Sequence, residues 1–303
     1  MKDQADKLRQ VIDSLKLKHA INQVAAQEPK VRRSARVITV TSGKGGVGKT
    51  NITINLAIAL AEQGLRVVIL DADFGLPNID VLFGIIPQYS LEDVLKERKN
   101  ILEVLSDGPK NTKFISGGSG MEELVKLDRT QLLKFVDNIA LLDKIADIIL
   151  VDTGAGLSEN VMSFIMAADE VLLVTTPEPT SITDAYALIK MVSNRDREKK
   201  IRVLVNKVES PAEAKDISNK LLLVADKFLG ISLEPLGYIV SDDAVVKAVK
   251  QQQPFSLVFP KSHAARLVRD ISSMLIESGT DIQGAQAPGF KGFISRLASF
   301  MKV

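Results

Sequence analysis

Nine consecutive residues, Ser42-Gly43-Lys44-Gly45-Gly46-Val47-Gly48-Lys49-Thr50, bring together more chemically suggestive side chains than any other stretch of the chain. Glycines let a backbone turn sharply and aim its N–H groups at an anion, and a helix starting just after them adds its positive N-terminus. In such a loop Lys49 reaches the terminal phosphates of a nucleotide, and the Thr50 hydroxyl binds Mg²⁺. Gly43, Gly45 and Gly48 also spell G-x-G-x-x-G, with Asp71 near the distance at which dinucleotide folds keep a ribose-binding acid. The Lys49-Thr50 pair separates the two readings, because a pyrophosphate bound in a dinucleotide fold has no use for it.

Two acidic clusters reinforce the phosphate reading. The apolar run 67–70 ends in Asp71-Ala72-Asp73, with Asp80 following, and the apolar run 148–151 ends in Asp152-Thr153-Gly154-Ala155-Gly156. One acid could cap a helix, but three within 71–80 exceed what capping needs. An acid that ends a buried strand is placed to hold the hydration shell of Mg²⁺, and a following glycine can sense a γ-phosphate through its backbone N–H.

To hold these groups together the chain must supply strands whose ends converge. Apolar runs at 37–41, 67–70, 113–116, 148–151, 171–175 and 201–205, with a last candidate at 235–240, alternate with helical patterns such as 52–63, 131–142 and 262–278. This alternation predicts an α/β fold with a doubly wound, mainly parallel sheet, whose ligands bind beyond the carboxyl ends of the strands. At 303 residues and 46% hydrophobic content the chain has enough apolar surface for a large core.

Composition removes other chemistries. With no cysteine and only two histidines there are no disulfides, iron–sulfur ligands, thiol nucleophiles or multi-histidine metal centres. No apolar stretch approaches the roughly 20 residues that span a bilayer, and the N-terminus lacks a signal-peptide core, so a cytoplasmic protein is expected. The net charge of +2 is uneven: basic residues dominate 1–36 and 286–303, leaving the body acidic, which argues against a broad nucleic-acid face.

Both termini carry amphipathic patterns. Ala5, Leu8, Ile12 and Leu15 repeat at helical spacing ahead of Pro29 and the basic residues Lys30, Arg32, Arg33 and Arg36. At the other end Phe290, Phe293, Ile294, Leu297 and Met301 share one helical face bordered by Phe300, with Lys291, Arg296 and Lys302 towards the other. Five large apolar residues after a linker at 279–288 suggest an interfacial membrane helix, the alternative being docking onto the parent domain. The expected organisation is a helix at 1–28, a basic linker at 29–36, a nucleotide-binding domain at 37–278, the linker at 279–288 and a membrane-targeting helix at 289–303.

Lys44 narrows the assignment, since an ordinary P-loop has no requirement for lysine there. The run Lys44-Gly45-Gly46-Val47-Gly48-Lys49-Thr50 resembles the deviant Walker A loop of MinD/ParA-type ATPases, P-loop NTPases of the signal-recognition/MinD class. Asp71-x-Asp73, Asp152-Thr-Gly-Ala-Gly and Asn206-Lys207 match too, so the resemblance covers about 36–275. It implies an ATPase using ATP and Mg²⁺ that dimerises on ATP, with Lys44 crossing to the partner's nucleotide. Lys49, Asn51 and the amides of Gly43 through Gly48 would hold the nucleotide, Thr50 and Asp152 the Mg²⁺, Asp73 would orient the attacking water, and Asn206 would recognise adenine.

Within that group the opening Asp3-Gln4-Ala5-Asp6-Lys7-Leu8-Arg9 is similar to the D-Q-A-x-x-L-R motif of the FlhG family (YlxH/FleN), MinD-like regulators of flagellar number and placement. The resemblance implies that Asp3, Gln4, Leu8 and Arg9 engage an FlhF-type GTPase and stimulate it. It further implies contact with flagellar switch-complex proteins and peripheral association with an anionic membrane surface. A MinD-like division-site ATPase, a ParA-like DNA-partitioning motor and an ATP-using metabolic ligase are the alternatives.

Overall fold

Eight strands are described, and the apolar runs of the sequence form most of them. They are β1 (Arg36–Thr41), β2 (Val67–Ala72), β3 (Ser106–Asp107), β4 (Lys113–Ser116), β5 (Ile148–Thr153), β6 (Glu170–Thr175), β7 (Ile201–Val208) and β8 (Leu233–Val240). The computed structural model describes residues 34–73, 78–117, 127–277 and 289–301. The chain divides into the units Met1–Arg33 and Ser34–Val303, and everything described belongs to the second. The expected N-terminal helix with Asp3, Gln4, Leu8 and Arg9, most of the basic linker, and the linker 279–288 lie outside the described residues.

The strands form one sheet in the order β3-β4-β2-β5-β1-β6-β7-β8. Every neighbouring pair is parallel except β3 with β4. In a parallel sheet covered on both faces, alternate side chains enter two cores, and that is seen here: Ile148 and Leu150 face one core, Ile149 and Val151 the other. The expected last strand is longer than 235–240, and it closes the sheet edge with Pro235, which has no N–H to offer a neighbour. The antiparallel β3 is only two residues long, too short to leave a periodic signal.

The principal helices are α1 (Lys49–Glu62), α2 (Ile79–Phe83), α3 (Arg129–Ile139), α4 (Leu142–Ile145), α5 (Glu159–Ala167), α6 (Pro179–Ser193), α7 (Pro211–Val224), α8 (Asp243–Lys250), α9 (His263–Glu277) and α10 (Gly289–Met301). Residues of α1 and α9 share one core, while α3, α4, α5 and α10 contribute to another on the opposite face. Helix α1 begins three residues earlier than its apolar pattern suggests, so Lys49 and Thr50 occupy its first turn directly after Gly48.

The C-terminal segment departs from the expected free tail. Phe290, Phe293, Ile294 and Leu297 of α10 are 0–2% exposed, packed in the core with Phe164 and Val136, and Met301 is partly buried beside them. Of the expected membrane-facing residues only Phe300 is exposed, at 43%. The reason is physical: an amphipathic stripe serves a protein core as well as it serves a lipid surface, and burial of each large side chain is worth roughly 1.5–3 kcal/mol. Polar contacts fix the dock. Asp143 accepts the N–H of Phe290 at 2.8 Å and of Lys291 at 3.1 Å, and also that of Ala35 at 3.1 Å. Arg296 donates to the Ala167 carbonyl at 2.7 Å and to Asp169 at 3.0 Å.

Candidate functional site

The phosphate loop connects the carboxyl end of β1 to the N-terminus of α1, in the middle of the sheet. Two glycines are fixed by close approach. A Cβ on Gly43 would lie 2.4 Å from the Asp184 carbonyl carbon, and one on Gly48, at φ +95°, would lie 2.5 Å from Asn206 Nδ2. Val47 is buried, and its carbonyl accepts Asn206 Nδ2 at 2.7 Å, while Lys207 Nζ donates to the Gly46 carbonyl at 2.7 Å. Gly45 faces Ala155, and Gly156 N–H donates to the Ser42 carbonyl at 2.9 Å. The loop is thus braced from β7 on one side and from the segment after β5 on the other.

Lys49, Thr50 and Asn51 form the first turn of α1, where unpaired amides and the helix dipole favour an anion. Lys49 Nζ lies 3.8 Å from Asp152 Oδ1, and Thr53 Oγ1 donates to the same oxygen at 3.0 Å. The Thr50 hydroxyl stands close enough to the Asp152 carboxylate to favour its charged form. Burial raises the Asp152 pKa against the opposing pull of Lys49, Thr50 and Thr53.

Asp71 pairs with Asp152 across the parallel β2–β5 register. Burial first, and the neighbouring Asp152 second, raise its pKa to about 7. Two buried carboxylates and a hydroxyl at the end of an anion cradle are hard oxygen donors, which suits Mg²⁺ shared with phosphates and water. Among the described residues no group of three or more His, Cys, Asp or Glu is placed to hold a metal ion.

Asp71 has a second task that spacing did not reveal. Its carboxylate accepts the N–H groups of Asp73 at 3.2 Å, Asn78 at 3.0 Å and Ile79 at 3.2 Å, anchoring both ends of the loop that carries Asp73. Asp73 lies over Gly154, where an added Cβ would sit 3.4 Å from its Oδ1. The sheet therefore brings Lys49, Thr50, Asp73, Asp152 and Asn206 to one edge. Phe290, Phe293, Ile294 and Leu297 pack elsewhere, on a helix tied to Ala35 and Asp169 at the opposite ends of the strands.

Lys44 is held by side chains outside this cluster. Its ammonium sits 2.7 Å from Glu178 Oε2 and 2.9 Å from Thr180 Oγ1, both at the start of α6. The run Thr176-Pro177-Glu178-Pro179 is plain in the sequence, but nothing in its spacing pairs it with Lys44.

Comparison with known proteins agrees with this geometry. A family profile described as the CobQ/CobB/MinD/ParA nucleotide binding domain matches residues 38–255. The antiactivator FleN of Pseudomonas aeruginosa is 44% identical over 230 residues, covering 76% of this chain and 82% of FleN. The flagellum site-determining protein YlxH of Helicobacter pylori is 34% identical over 272 residues, covering 88% of this chain and 91% of YlxH. Among solved structures, the MinD cell division protein of Aquifex aeolicus superposes with a TM-score of 0.64 at 27% identity, covering 80% of this chain and 97% of that one.

Proposed function

The chain belongs to the CobQ/CobB/MinD/ParA family of nucleotide-binding domains, and from that premise we propose that it is an ATP-hydrolysing switch controlling flagellar number and placement. The names of FleN and YlxH, an antiactivator and a flagellum site-determining protein, support the flagellar role. Septum site-determining MinD proteins are also similar, at 28–32% identity in the examples from Bacillus subtilis, Helicobacter pylori and Synechocystis.

The observation that carries the reading is the division of labour between the two loop lysines. Lys49 is buried beside Asp152, where the phosphates and Mg²⁺ belong, whereas Lys44 stands at the rim, its side chain 39% exposed. A rim lysine reaches its own nucleotide poorly but can reach one presented by a second copy. ATP then closes a dimer in which each Lys44 leaves Glu178 and neutralises charge on the partner's phosphates, as an arginine finger does. Mg²⁺, bound together with ATP, would supply neutralisation of the charge that develops on the phosphates. Thr50 and Asp152 would hold the metal, Lys49 and the loop amides would fix the phosphates, and Asp73 would orient the attacking water.

Membrane association by α10 requires that the helix first leave its dock, since the face that would enter lipid is the face now buried. The dimer supplies two such helices, and paired weak anchors gain avidity over one. Among the described residues no helix is long and apolar enough to cross a membrane. In this reading residues 1–28, through Asp3, Gln4, Leu8 and Arg9, stimulate an FlhF-type GTPase, and the protein meets flagellar switch-complex components at the inner face of the cell membrane.

Co-sedimentation with anionic vesicles in ATP, ADP and no nucleotide tests the switch, with light scattering reporting the dimer. ATP-dependent binding that Phe300→Glu weakens is expected, Phe300 being the exposed aromatic that can be altered without opening the core. Equal binding in all three conditions would remove nucleotide control of location.

A further inference from the structure

Lys207 keeps an unfavourable backbone conformation. Its φ is +60°, in the left-handed region that glycine or asparagine enters readily and a long side chain does not. The cause is a bulge: Asn206 and Val208 pair with the consecutive residues Ile239 and Val240 of β8, so Lys207 is an extra residue in β7. A bulge re-aims the side chain it carries, and this one reaches the phosphate loop, where Lys207 Nζ donates to the Gly46 carbonyl at 2.7 Å. Three acids, Glu178, Glu209 and Glu213, line a small open pocket with it. Among the described residues the ammonium bonds none of them and takes the neutral carbonyl. Strain that persists in this way points to a task for the side chain.

The Gly46–Val47 peptide is trans, as are all the described peptide bonds, so its carbonyl and its N–H point in opposite directions. With the carbonyl turned to Lys207 on β7, the Val47 N–H is turned away from β7. In the strand order β5-β1-β6-β7 that is the side of Asp152 and its neighbour Lys49. Asn206 acts alike on the next peptide, since its Nδ2 holds the Val47 carbonyl at 2.7 Å and so turns the Gly48 N–H away as well. Neither N–H has an acceptor among the described residues, although Val47 is only 3% exposed. Two successive unpaired donors beside a buried lysine are arranged for an anion. A cation at the carbonyl end of a peptide also polarises the group, which makes its N–H a stronger donor.

Resting on the nucleotide-site reading above, we propose that Lys207 is a positioning residue for phosphate binding, which pins the Gly46 carbonyl so that the Val47 N–H is already aimed when a nucleoside triphosphate arrives. The lysine touches no phosphate and acts through the peptide. Glycine and asparagine fit the bulge better, but neither brings a cation to the loop. Loss of the charge-assisted bond corresponds to about tenfold in affinity, the lower end for such bonds because Lys207 is exposed.

The test is calorimetric titration of the full chain with ATP and Mg²⁺ for the wild type, Lys207→Gly and Lys207→Arg, with each thermal denaturation midpoint measured without nucleotide. Glycine relieves the backbone strain and removes the cation together, so a residue that only shapes the bulge predicts undiminished binding. The expected result is ATP affinity lowered about tenfold in Lys207→Gly, at a midpoint no lower than that of the wild type, and restored to within about threefold in Lys207→Arg. Lys207→Gly binding ATP as tightly as the wild type overturns the proposal, as does Lys207→Arg binding no better than Lys207→Gly. A midpoint that falls together with the affinity in Lys207→Gly also overturns it, making Lys207 a brace of the fold. Failure of the wild type to bind ATP overturns the underlying nucleotide-site reading instead.

Discussion

Lys44 and Glu178, separated by 134 positions in the chain, form an exposed ion pair across the mouth of the phosphate loop. The lysine holds the Glu178 carboxyl below its usual pKa, by hydrogen bond first and by charge second. If Lys44 must leave this partner to serve a second subunit, removing the carboxylate should ease its departure. Glu178→Gln is expected to lower the ATP concentration for half-maximal dimerisation by two- to tenfold, read by light scattering. Unchanged dimerisation would reduce the pair to a surface contact.

Asp73 stands over Gly154 on a loop whose two ends Asp71 anchors. A residue that positions the attacking water acts on turnover more than on binding, with effects of about 10²–10⁴-fold. Asp73→Ala should therefore reduce steady-state ATP hydrolysis by at least about 10²-fold while ATP binding, measured by calorimetry, persists. A parallel loss of both would place Asp73 in binding.

Phe293 is fully buried in α10, stacked on Phe290 with ring centroids 5.5 Å apart. Truncating a buried phenylalanine costs about 3–5 kcal/mol in a domain core and close to nothing in a free tail. Phe293→Ala should lower the denaturation midpoint of the chain clearly. An unaltered midpoint would mean that the docked helix is not the resting arrangement.

Lys199 gives the dock a pH dependence. Its ammonium donates to the Met166 carbonyl at 3.0 Å and to the Ala168 carbonyl, and Arg296 of α10, Asp169 and Asp196 are the charged groups that act on it. Burial, and then repulsion from Arg296, lower its pKa to about 8. A base whose pKa is lower folded than unfolded adds stability as pH rises from the folded value towards the unfolded value of about 10.4. Between pH 8 and 10 the wild type should gain stability relative to Lys199→Met in urea denaturation. Parallel curves across that window would remove the effect.

The sequence makes the candidate nucleotide-binding edge readable because each part of it is local. Asp71 and Asp152 end unbroken apolar runs, and Lys49 and Thr50 follow glycines at fixed offsets. What joins distant segments leaves no such trace. Glu178 meets Lys44, and Asp143 meets Phe290, only because the sheet folds them together. The docked α10 escaped for a different reason, since one apolar stripe is compatible with two environments and only the surrounding surface chooses between them.

The two ends of the sheet bear on how such a protein can associate. A bare strand edge invites another chain to add itself by backbone pairing, an attachment that is hard to reverse. Here β3 offers two residues at one margin, and β8 interrupts the other with Pro235. With backbone augmentation blunted on both sides, contact between copies is left to side chains and to whatever the nucleotide organises around them. In the dimer proposed above, a pair assembled in that way would come apart again once the γ-phosphate is gone.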